Sequence, residues 1–73
     1  MSSLAYSVVY ETQPGSNWSA YVPDLPGCVS TGKTLDEIQR NIREAVEGHI
    51  QVMREFGDEI PHPSTLVGVV EVV

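Results

Sequence analysis

Seventy-three residues make one domain spanning 1–73. A chain this short buries only ~60% of the surface it exposes unfolded, so self-association would relieve a thin core. Ten acidic residues against four basic ones give a net charge of −6. That leaves almost no cations to displace counterions from a phosphate backbone, so direct nucleic-acid binding is not expected. An acidic surface instead steers toward a basic partner, or simply keeps the chain in solution.

The hydrophobic content of 41% matches ordinary globular usage and argues against disorder. No apolar run approaches the ~20 residues of a bilayer span, and the first residues lack the charged start and apolar core of a signal peptide. A soluble, cytoplasmic protein is therefore expected. The single cysteine offers neither an intrachain disulfide nor zinc-ligand spacing.

Met1 to Ser3 reads as a frayed end. Ala5 to Glu11 alternates, with Tyr6, Val8 and Tyr10 on one face, and reads as a strand. Gln13-Pro14-Gly15-Ser16-Asn17 is a turn cluster. Trp18 to Val22 alternates again, and the short loop makes the two runs an antiparallel hairpin. Pro23 ends the second strand. Leu25-Pro26-Gly27-Cys28 has the form of a type II turn, with proline presetting φ at the second position and glycine supplying positive φ at the third. Cys28 to Thr31 is a brief third strand, halted by Gly32.

Thr34 is placed as an N-cap with Glu37 three residues on, a capping box in which each side chain reaches the other's backbone N–H. Leu35 to Phe56 then gathers Leu35, Ile38, Ile42, Ala45, Val46, Ile50, Val52, Met53 and Phe56 on one side at helical spacing. Gly57 suits the left-handed residue that closes a helix. Ile60-Pro61-His62-Pro63 is an extended linker, because proline bars helix at itself and at the residue before.

Thr65 to Val73 reads as a fourth strand with apolar groups on both faces and only Glu71 charged, the pattern of a strand covered on both sides. The order β-β-β-α-β lets the long helix cross one face and return the chain parallel to strand one. The expected fold is α+β: a four-stranded mixed sheet of order 3-2-1-4 with one helix packed on one face. Val67, Val69, Val70, Val72 and Val73 are the candidate interface of a dimer or tetramer.

No nucleophile motif or phosphate loop occurs, and no catalytic, cofactor or metal residue is assigned. His49, in the apolar stripe of the helix, reads as a satisfied core or interface residue, and His62 as an exposed linker residue. Cys28 reads as a buried, inert thiol. Trp18 and Tyr21 lack basic neighbours and read as hairpin packing, not base-stacking platforms. Asn41, at the border of the helical stripe, is placed to tie the helix to a nearby loop through its amide.

Pro23-Asp24-Leu25-Pro26-Gly27-Cys28, followed by Ser30, Gly32, Thr34, Glu37, Asn41, Glu44-Ala45 and His49 and by the Ile60-Pro61 and Pro63 linker, resembles the N-terminal domain of the HicB-type antitoxin family. The resemblance runs from the Tyr6–Tyr10 strand to the terminal strand. It implies a truncated ribonuclease H-like fold. It also implies neutralisation of a small basic ribonuclease of the HicA type by covering its active site. Glu11, Trp18 and Asp24 are the acidic and aromatic candidates for facing that partner. Longer members carry a C-terminal DNA-binding domain that binds the operon's promoter; with the sequence ending at Val73, such autoregulation is not expected here.

Two other readings stand beside this one. One is an orphan module that self-associates or binds a small ligand without a toxin. The other, raised by the fold likeness, is a metal-dependent nuclease, whose carboxylates would have to cluster. Of Glu11, Asp24, Glu44 and Glu71, only Glu11 and Glu71 would come close, on adjacent strands.

Overall fold

Three short strands and one helix follow in sequence: β1 (Val9–Glu11), β2 (Trp18–Tyr21), β3 (Val29–Gly32) and α1 (Leu35–Glu55). This is a computed structural model, and it describes residues 4–73; the expected frayed end at Met1 to Ser3 lies outside them. The strands form one antiparallel sheet of order β1-β2-β3. Val9 pairs with Tyr21 and Tyr10 with Ala20 across the hairpin, and Ala20 pairs with Ser30 on the other side. The hairpin loop is closed by a Ser16 N–H that donates to the Gln13 carbonyl at 2.9 Å.

Period-two alternation puts Tyr10, Trp18, Ala20 and Gly32 on the face that α1 covers. The core beneath it is small: Ala20, Val22, Leu25, Cys28, Ile38 and Ile42 are buried. Tyr6, Val8, Tyr10, Trp18, Ala45, Val46, Ile50 and Met53 pack around them, half-buried. The helix lies over β3 and β2. Gly32 permits that approach, because a Cβ there would meet the Ile38 backbone nitrogen at 2.8 Å.

Local capping chemistry fixes both ends of α1. The Thr34 hydroxyl accepts from the Glu37 N–H at 3.1 Å, so the expected N-cap forms. It is only half of the expected capping box: the Glu37 carboxylate does not accept from the Thr34 N–H. Asp36 and Glu37 in the first turn and Arg54 in the last complement the helix dipole. At the other end, Asp58 N donates to the Met53 carbonyl at 2.8 Å and Gly57 N to that of Arg54 at 3.2 Å. These are the paired bonds of a Schellman close. The helix ends at Glu55, with the expected last residue, Phe56, serving as its C-cap.

All three strands differ from expectation in extent: the second ends at Tyr21, one residue short of Val22, and the third takes in Gly32, expected to halt it. The first begins at Val9 instead of Ala5, because the register that pairs Val9 with Tyr21 sets Ser7 opposite Pro23, where the chain turns away without an N–H to offer. The third begins at Val29 because the Cys28 N–H is taken by the turn before it.

The larger correction concerns the C-terminal segment. Thr65 to Val73 forms no strand, so the sheet holds three strands, not four, and the 3-2-1-4 order is not formed. A strand apolar on both faces needs cover on both, and one chain with a single helix can cover only one side of the sheet. Leu66, Val67, Val69, Val70, Val72 and Val73 are all exposed. The radius of gyration is 13.9 Å, against ~11 Å for a compact domain of this length.

Candidate binding surface

The Pro23–Cys28 motif folds as two successive turns closed on themselves. Leu25 N donates to the Val22 carbonyl at 3.1 Å, Cys28 N to the Leu25 carbonyl at 3.0 Å, and Val22 N to the Cys28 carbonyl at 3.1 Å. Pro23 occupies the second position of the first turn, and Pro26 that of the second, whose third position is Gly27 at φ +83°. This is the expected type II geometry. The double turn throws Leu25 inward, where it is 1% exposed, and leaves Asp24 pointing to the tail.

Asp24 gathers four donors from that tail. One carboxylate oxygen accepts from Ser64 N at 3.0 Å and Thr65 N at 3.1 Å; the other accepts from the Thr65 hydroxyl at 2.8 Å and the Ser64 hydroxyl at 3.0 Å. The Ser64 backbone N–H first, and then the Thr65 hydroxyl and N–H, hold its pKa down to about 2 from an ordinary 3.8. Two bonds from the first strand's approach complete the attachment. The Tyr6 hydroxyl donates to the Pro61 carbonyl, and the Ser7 hydroxyl donates to the Thr65 carbonyl at 2.8 Å. Partial burial, and then the Asp24 charge nearby, raises the Tyr6 phenol pKa.

Sequence reading missed this clamp, since its partners lie 40 and 41 residues apart. A carboxylate exposed in a turn and a Ser-Thr pair after a proline linker were the only signals. It did find that Asn41 ties the helix down, though to a strand and not to a loop: the amide Nδ2 donates to the Thr31 carbonyl at 2.9 Å, pinning α1 to β3.

Three surfaces surround the clamp. A groove runs between β1 and α1, made of two adjoining cavities of about 740 and 760 Å³ that share Leu4, Tyr6, Val46 and Glu47. It exists because α1 lies over β3 and β2 and leaves the β1 side of the sheet uncovered. The opposite sheet face has no helix, and carries a cross-strand row of Val9, Tyr21 and Val29, the last 64% exposed. The third surface is the exposed arm, Leu66–Val73.

The other candidate residues are dispersed. Glu11 is exposed at the end of β1, opposite Ser19, and shares a cleft of about 440 Å³ with the edge of half-buried Trp18. Cys28 is buried, which raises its thiol pKa; it lacks the electropositive setting of a reactive cysteine. His49 is half-buried on α1 and His62 exposed in the linker. Because the terminal segment forms no strand, Glu11 and Glu71 do not share neighbouring strands. Among the described residues no group of three His, Cys, Asp or Glu side chains could hold a metal ion, and no helix is long and apolar enough to cross a membrane.

The described residues thus form a three-stranded sheet, one amphipathic helix and several uncovered apolar surfaces. Residues 6–72 match the model of the HicB-like antitoxin of bacterial toxin-antitoxin systems, and the chain belongs to that family. A UPF0150 protein of Thermoplasma acidophilum is 33% identical over 58 residues, covering 80% of this chain and 84% of its own length. A UPF0150 protein of Synechocystis is 30% identical over 73 residues, covering all of this chain and 99% of its own length. An uncharacterized 14.9 kDa protein of Haemophilus phage HP1 is 50% identical over 40 residues; the match takes in 55% of this chain but only 30% of the phage protein.

Proposed function

We propose that this chain is the antitoxin-like partner of a small basic ribonuclease of the HicA type, which it neutralises in the cytoplasm by covering the RNA-cleaving site. The family match over residues 6–72 carries the reading. The net charge of −6 supports it, since opposite charge speeds encounter and sets orientation. The uncovered sheet face offers a matching surface: an apolar row, Val9–Tyr21–Val29, with Glu11 at its margin and Trp18 at the nearby cleft. Asp24 contributes less directly, by holding the tail. On this reading the chain is a binder, not an enzyme, with a sheet and helix of truncated ribonuclease H-like arrangement.

Co-expression with the small basic protein encoded beside it tests the reading. Growth arrest by that protein alone, rescued by this chain, and recovery of both in one complex are expected. Tyr21→Asp should weaken the complex at least tenfold while leaving the fold intact. If no such neighbour exists and none is recovered, the second reading replaces it: a self-associating module, favoured by the exposed valine-rich arm. Both readings include a homo-oligomer, a dimer or tetramer.

A further inference from the structure

We infer that two copies of this chain exchange their C-terminal arms, each laying Leu66–Val73 as an added strand along the free edge of the other's β1, over the groove beside α1. The inference deepens the self-association named above and does not depend on the toxin. It starts from the arm's launch point. Asp24 and Ser7 hold Thr65 by its N–H, hydroxyl and carbonyl, while every large apolar residue beyond it is 68% exposed or more. The arm is thus fixed at its root and leaves its own groove unfilled.

Length, pattern and charge then fit the second copy's groove. An extended eight-residue arm spans ~26 Å, and the seven residues Leu4–Tyr10 along the groove floor span ~23 Å. β1 is at the margin of the sheet, so its outer backbone edge has no partner strand among the described residues. Strand addition there satisfies those groups through main-chain hydrogen bonds. Alternation puts Leu66, Val70 and Val72 on one face, free of charge, to meet Leu4, Tyr6 and Val8; Val67, Val69 and Glu71 take the other. The groove-facing side of the arm is then covered, and its other side extends the open face of the sheet.

The groove's charge permits a like-charged copy to approach. Arg40, Arg43 and Arg54 there are balanced by Asp36, Glu47 and Glu55, so the whole net charge of −6 lies on the rest of the chain. Three apolar side chains and a backbone edge from each of two arms, with the receiving edges, bring the buried total to roughly the lower end of the 1,200–2,000 Å² of a stable interface.

Sedimentation of the full chain tests this directly. The wild type should have at least twice the 8.0 kDa of one chain. Val70→Asp with Val72→Asp should fall to the single-chain mass with its helical circular dichroism unchanged. Leu4→Asp, at a 40% exposed position that lines the groove, should do the same from the other side of the contact. Gln51→Trp, which fills the groove from an exposed position on its wall, provides the same test without touching the floor. A single-chain wild type overturns both self-association and exchange. An oligomer that survives the arm variant, or that survives both groove variants while the arm variant is monomeric, overturns exchange and leaves self-association standing.

Discussion

Two proline-bearing connections in this molecule behave oppositely. The Pro23–Cys28 loop closes on itself with three backbone bonds, and its one large apolar residue, Leu25, is buried. The Ile60–Thr65 connection is held by bonds from Tyr6, Ser7 and Asp24, 40 to 58 residues away, and delivers an arm whose large apolar residues are all exposed. Both contain two prolines. What separates them is where satisfaction comes from: short-range turn geometry in the first, distant side chains and then another surface in the second.

The sharpest way to break this contrast is at the loop's plug. Leu25→Ala should cost ~2–5 kcal/mol, since the double turn leaves the vacated core site little freedom to collapse. In a domain this small that corresponds to a fall in melting temperature of at least ~10 °C. A fall of only a few degrees would mean the loop does not depend on its buried leucine. Gly32→Ala comes next, at ~1–3 kcal/mol, because the added Cβ would press on the Ile38 backbone. Thermal melting reads it, and an unchanged midpoint would show that α1 can lift from β3. Gly27→Val should cost ~1–2 kcal/mol from its left-handed backbone alone, as nothing lies within 4 Å of the added Cβ. Melting at the wild-type temperature would contradict the turn.

The smallest expected effect on global stability is at the clamp, where the readout is local. Asp24 has a depressed pKa, so its contribution is fully present above the ordinary carboxylate range and is lost as pH falls toward the native value of about 2. The amide resonances of Ser64 and Thr65 should therefore move with a midpoint near pH 2, and a midpoint near 3.8 would show that the tail is not clamped. Asp24→Ala, which removes both acceptor oxygens, should release both amides at neutral pH with little change in melting temperature.

The elements whose bonds are local were legible in the sequence. The type II turn, the Thr34 cap, the Asn41 tie and the body of α1 all form as their residues dictate. The same residues carried the family resemblance that the match over 6–72 bears out. The fourth strand was legible only as a tendency. Valine and leucine on both faces state that a strand wants two covers, and nothing local says who supplies them. The Asp24 clamp was out of reach for a related reason: a carboxylate's partners are set by how the tail returns across the sheet.

Backbone geometry, capping and helical periodicity act over a few residues, and the chain by itself determined what rests on them: the hairpin, the type II turn, the start and stop of α1, and the Ile38–Ile42 centre of its buried face, although Leu35, Val52 and Phe56 of the expected stripe are exposed. The tertiary structure alone decided how far the helix covers the sheet, which carboxylate holds the tail, and that Leu66–Val73 stands free. Those outcomes depend on which surfaces the chain has left to offer once its short-range bonds are made, and a chain of 73 residues with one helix has too few to cover both sides of its sheet.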